Sequence, residues 1–83
     1  MKILAVDDDC IILELLPIIL AKAGITDVTV ASSAQDALSV ISNQVEPFEC
    51  FLLDIEMPGG SGIELCRAIR KLPAYEKIPI IML

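Results

Sequence analysis

Residues 48–62 read Phe48-Glu49-Cys50-Phe51-Leu52-Leu53-Asp54-Ile55-Glu56-Met57-Pro58-Gly59-Gly60-Ser61-Gly62. The apolar run from Phe48 to Leu53 stops on Asp54, and a stretch holding Pro58, Gly59 and Gly60 follows, which predicts a buried strand entering a loop. Ser61 and Glu64 have capping-box spacing, so a helix should begin there with Ile63, Cys66, Ile69 and Leu72 on its apolar face. Leu72-Pro73 ends it.

Working outward, Lys2 to Val6 is a second apolar run that halts at acidic residues, Asp7, Asp8 and Asp9. It suits a buried parallel strand. Ile11, Ile12, Leu15, Leu16, Ile19, Leu20 and Ala23 then recur at helical spacing, with Asp8 or Asp9 able to cap the start and Gly24 placed to end the helix. Pro17 inside this stretch predicts a kink rather than two helices, because it cannot bond the carbonyl of Leu13. Val28 to Ala31 is a strand, and Ser33 with Asp36 opens a helix whose apolar face is Ala34, Ala37, Leu38 and Ile41. Pro47 breaks the chain. Downstream, Ile78 to Leu83 reads as a fourth strand. The order β-α-β-α-β-α-β implies a doubly wound parallel sheet in a single α/β domain over residues 1–83, with strand order 2-1-3-4.

In such a sheet ligands bind at the carboxyl ends of the strands. Asp7 and Asp8 fall at that end of the first strand and Asp54 at that end of the third, so three carboxylates meet at one edge. A hard divalent cation resolves their repulsion, and Mg²⁺ suits a site of a few carboxylates, a backbone carbonyl and retained water. The plainer alternative is that Asp7 to Asp9 cap the first helix and Asp54 is a solvated strand-end residue. One cap, however, needs one aspartate. These three residues carry half of the net charge of −6, which arises from 6 Lys+Arg against 12 Asp+Glu.

Composition narrows the rest. A chain of 83 residues that is 55% hydrophobic is too apolar for a disordered segment, yet short enough that its core should be marginal. The acidic balance argues against nucleic acid as a ligand. The longest nearly apolar stretch, Cys10 to Ala23, is interrupted by Glu14, Pro17 and Lys22, so no membrane span or secretory leader is expected and the location should be cytoplasmic. With no histidine and no C-x-x-C spacing, Cys10, Cys50 and Cys66 read as reduced packing residues, and no histidine-based nucleophile pair exists.

Val6-Asp7-Asp8, the segment Leu52-Leu53-Asp54-Ile55-Glu56-Met57-Pro58, Gly62, and Ile78-Pro79-Ile80-Ile81-Met82-Leu83 together resemble a response-regulator receiver domain along the whole chain. The resemblance implies a flavodoxin-like fold in which Asp54 accepts a phosphoryl group from the phosphohistidine of a histidine kinase or phosphotransfer protein. It implies Mg²⁺ bound directly by Asp8 and Asp54, by Asp7 mainly through water, and by the backbone carbonyl of Glu56. Pro58 and Gly62 become turn residues beside the site.

Against this family the sequence reads as a receiver cut at its fourth strand. The family's Ser or Thr would follow Leu83 and its lysine would end a fifth strand. Phosphorylation of Asp54 in these 83 residues should therefore be weak. Gly59-Gly60-Ser61 replaces a bulkier segment and should make a looser loop. Ile80 to Leu83 becomes an unprotected edge beside an uncovered sheet face, which predicts a homodimer or higher oligomer. A self-associating interaction module without phosphotransfer is the alternative. A haloacid-dehalogenase-type phosphatase also uses a strand-end aspartate but requires Asp-x-Asp, and Glu56 stands at the second position.

Overall fold

In the computed structural model, which describes residues 1–57 and 60–83, the N-terminal apolar run forms strand β1, Lys2–Val6. Helix α1 (Cys10–Lys22), strand β2 (Asp27–Ala31), helix α2 (Ala34–Asn43) and strand β3 (Cys50–Leu53) follow. Two short strands, β4 (Glu56–Met57) and β5 (Gly60–Ser61), precede helix α3 (Gly62–Arg70), a 3-10 turn (Pro73–Tyr75) and strand β6 (Ile80–Met82). Strands β2-β1-β3-β6 form a parallel sheet in that order, as the predicted 2-1-3-4 arrangement requires. No helix among the described residues is long and apolar enough to cross a membrane.

The caps read from sequence are formed. Asp9, not Asp8, caps α1 by accepting from the amide of Ile11 at 2.9 Å, Ser33 accepts from Asp36 at 3.0 Å and Ser61 from Glu64 at 3.1 Å. Each oxygen satisfies an amide that has no partner within its helix. Gly24 follows α1 with φ +85°, a conformation that a β-carbon disfavours. Helix α1 continues through Pro17 as one element.

Alternation along the strands divides the core. Leu4, Val6, Phe51 and Leu53 point to one face, where Ala37 and Ile41 of α2 and Leu65 and Ile69 of α3 close over them. Phe51 is fully buried there, with Tyr75 edge-on at 5.1 Å and Phe48 tilted at 5.8 Å between ring centroids. Each such side chain contributes about 1.5–3 kcal/mol by leaving water. Ile3, Ala5, Cys50 and Leu52 face the other way, and α1 meets them with only Leu16 and Leu20. Helices on both faces make the sheet doubly wound, but the α1 side is thinly covered.

Several expectations are corrected. The third strand begins at Cys50 rather than Phe48, because the Phe48 amide turns aside to the Tyr75 hydroxyl at 3.2 Å. The fourth sheet strand is confined to Ile80–Met82, where it pairs with Phe51–Leu53. Glu56, Met57 and Gly60, expected in a loop, are paired instead, Glu56 with Ser61 and Met57 with Gly60, in an antiparallel ribbon. On α3 the buried positions are Gly62, Leu65 and Ile69, while Ile63 is exposed. A start at Gly62 sets the inward stripe at 62, 65 and 69, and Ile63 lies about 100° from Gly62 around the helix. Cys10 is exposed at the first turn of α1 rather than packed, whereas Cys50 is buried and all three thiols are free. The looser turn expected around Gly59 and the role given to Pro58 lie outside the described residues.

Candidate functional site

Parallel register sets the site. Val6 is paired with Leu53, so Asp7 and Asp54 each take the first position beyond adjacent strands. The Asp54 amide donates to the Val6 carbonyl at 2.9 Å, and the Asp7 amide donates to Ala31 at 3.2 Å, extending both ladders by one bond. Asp8 follows at the turn into α1. One carboxylate oxygen from each of Asp7, Asp8 and Asp54 lies within 4.8 Å of the others. Asp7 is buried, Asp54 half-buried and Asp8 exposed, so the cluster opens to solvent on one side.

Burial pushes the Asp7 carboxyl above the ordinary aspartate range, and the neighbouring charges of Asp54 and Asp8 push in the same direction. The Asp9 amide opposes them by donating to Asp7 Oδ1 at 2.9 Å. Three oxygen donors this close, one of them desolvated, form a set that a hard divalent cation fits and a soft one does not. Glu56 lies two residues past Asp54 on β4, with an exposed side chain outside this cluster.

Gly62 is the residue whose importance the sequence understated. Its amide donates to the Ile55 carbonyl at 2.9 Å, and it is buried at the first turn of α3. A β-carbon there would overlap the Asp54 carbonyl oxygen and come within 2.8 Å of the Asp54 carbonyl carbon. A glycine at a loop-to-helix junction was a legible signal for a turn, but this close approach arises from tertiary packing. Elsewhere, an apolar groove of about 490 Å³ is lined by residues including Leu38, Ile41, Pro47, Leu72 and Tyr75, and none of the three aspartates touches it.

Residues 3–83 match the family described as the response regulator receiver domain. The chain belongs to that family. As a receiver it is 38% identical over 82 residues to the DNA-binding response regulator MtrA of Mycobacterium leprae, covering 99% of this chain and 34% of that protein. The Mycobacterium tuberculosis protein of the same name is also 38% identical, and 33% of it is covered. This receiver thus spans about a third of the length of those relatives. The chemotaxis protein CheY4 of Vibrio cholerae superposes with a TM-score of 0.88 at 32% identity, over 98% of this chain and 65% of that one. A response regulator receiver protein from Pseudomonas putida gives 0.87 at 29% identity, over 99% and 65%.

Proposed function

We propose that this receiver takes a phosphoryl group on Asp54 from a phosphohistidine of a histidine kinase or phosphotransfer protein, with Mg²⁺ held by Asp8 and Asp54, by Asp7 through water, and by the Glu56 carbonyl. The observation that carries the reading is the meeting of three carboxylate oxygens within 4.8 Å at the carboxyl ends of β1 and β3. A bound Mg²⁺ supplies positive charge where both partners of the transfer are anionic. Asp54 Oδ forms the new bond to phosphorus, the bond from phosphorus to the donor nitrogen breaks, and the electron pair leaves with the imidazole. The product is an acyl phosphate on Asp54. Asp54 acts here as an acceptor that is itself modified, so the unit is a signalling acceptor rather than an enzyme acting on a separate substrate.

Lys2 opens β1 at the far end of the strand from Asp7, and its ammonium donates to Gln44 and to the Glu46 carbonyl. Incubation with acetyl phosphate and Mg²⁺, followed by intact-mass measurement and peptide mapping, should give Mg²⁺-dependent label on Asp54 that is absent from Asp54→Asn. Label on another residue would contradict the acceptor assignment. Absence of any label in the presence of Mg²⁺ would contradict the proposal as a whole.

A second reading, self-association, is favoured by exposed apolar groups on one side of the sheet. Ile81 is 49% and Leu83 53% exposed on or beside the edge strand β6, and Ile12 and Ile19 of α1 are exposed as well. A homo-oligomer that pairs β6 or covers this face would bury them. Sedimentation at micromolar concentration should show a species heavier than 9.0 kDa, and a stable monomer would contradict it.

A further inference from the structure

We infer that Gly62 is a positioning residue for Asp54: the absence of a side chain at 62 lets the first turn of α3 rest against the Asp54 peptide and so fixes the direction of its carboxylate. This inference rests on the reading of Asp54 as a metal-binding acceptor. Gly62 is not required for an unusual backbone conformation, since the only described glycine with positive φ is Gly24. What requires glycine is space. A β-carbon at 62 meets the Asp54 carbonyl group, with the carbonyl carbon at 2.8 Å, and the Met82 Cε at 3.1 Å.

These obstacles differ in kind. The Met82 methyl is the end of a flexible side chain and can move. The Asp54 carbonyl belongs to backbone held from three directions: the Asp54 amide is bonded to Val6, the preceding carbonyl of Leu53 accepts from Leu83, and the following carbonyl of Ile55 accepts from Gly62 itself. A side chain at 62 therefore either lifts α3 away or rotates the Asp54 peptide, and the carboxylate moves with that peptide. Because Asp7, Asp8 and Asp54 must converge on one ion, a small rotation at Asp54 weakens the whole donor set.

Mg²⁺ affinity, measured calorimetrically beside thermal unfolding, separates positioning from general stability. Gly62→Ala should bind Mg²⁺ about tenfold or more weakly, the range typical of residues that orient a metal ligand. Gly24→Ala serves as the control, because Gly24 has a positive φ that would strain alanine and no atom within 4 Å of its would-be β-carbon. It should lower the Tm and leave Mg²⁺ affinity unchanged. Adding Met82→Ala to Gly62→Ala should not restore binding, since the carbonyl obstacle remains, and restoration would overturn the inference.

Equal affinity in Gly62→Ala and the unaltered chain would overturn it too, while leaving Asp54 as a ligand. No binding by the unaltered chain would instead refute the metal reading itself and the inference with it. Should Gly62→Ala fail to fold, NMR on the unaltered chain decides. The Gly62 amide and α-proton resonances should shift during a Mg²⁺ titration with the midpoint seen at Asp54, and unmoved Gly62 resonances would overturn the inference.

Discussion

At the residue scale, the energetics of the pocket centre on Asp7. Burial and two neighbouring carboxylates raise its folded-state pKa above the ordinary value. The folded protein therefore holds the Asp7 proton to higher pH than the unfolded chain does. This contribution to stability is present in full below the unfolded pKa and is lost as pH rises through the folded one. Above the folded pKa and without metal, ionised Asp7 opposes folding. Asp7→Asn should accordingly raise the Tm at pH 7 in metal-free buffer, with a smaller gain near pH 4, while diminishing the rise in Tm that Mg²⁺ produces. Equal melting of the two proteins at both pH values would contradict this. The three aspartates were legible in the sequence because parallel register sends the first residue past each of two adjacent strands to the same edge. The buried state of Asp7 was not, since it depends on packing around the turn after β1.

At the scale of elements, short polar signals proved the most dependable. Ser33 and Ser61 both cap their helices through the amide three residues on, because that bond is local and needs no tertiary partner. Ser61→Ala should cost about 1 kcal/mol, lowering the Tm by about 4–8 °C in a domain of this size. An unchanged melting curve would show that the cap contributes nothing. The ribbon of Glu56–Met57 with Gly60–Ser61 left no readable pattern, since two-residue strands are too short for alternation to register. Helix α3 shows a different failure: Ile63, Cys66 and Ile69 share helical spacing, but the approach of Gly62 to Asp54 turns Leu65 inward instead of Ile63. On β6, Ile80 and Met82 pack with the larger core cluster while Ile81 faces outward. Ile81→Glu should shift sedimentation towards the monomer if the β6 side carries self-association. An unaltered distribution would place the contact elsewhere.

At the scale of the whole molecule, the two sheet faces are unequal. Helices α2 and α3 close over Phe51, Leu4 and Leu53, whereas Ile3, Ala5, Cys50 and Leu52 are met by Leu16 and Leu20 of α1 with Ile25 and Val28 beside them. The α1 side is the thinly covered one, with Leu16 and Leu20 the residues of that helix packed against the sheet. Helix α1 itself has no buried residue, although it is apolar around most of its circumference. Any ligand that binds the native state alone should raise its stability. Mg²⁺ at a hundred times its Kd should add about 2.7 kcal/mol. The most direct test of the acidic pocket is a calorimetric Mg²⁺ titration of the unaltered chain beside Asp8→Asn and Asp54→Asn. A single saturable site whose heat is lost in both variants is the predicted result. No binding by the unaltered chain, or the same binding in all three, would contradict it.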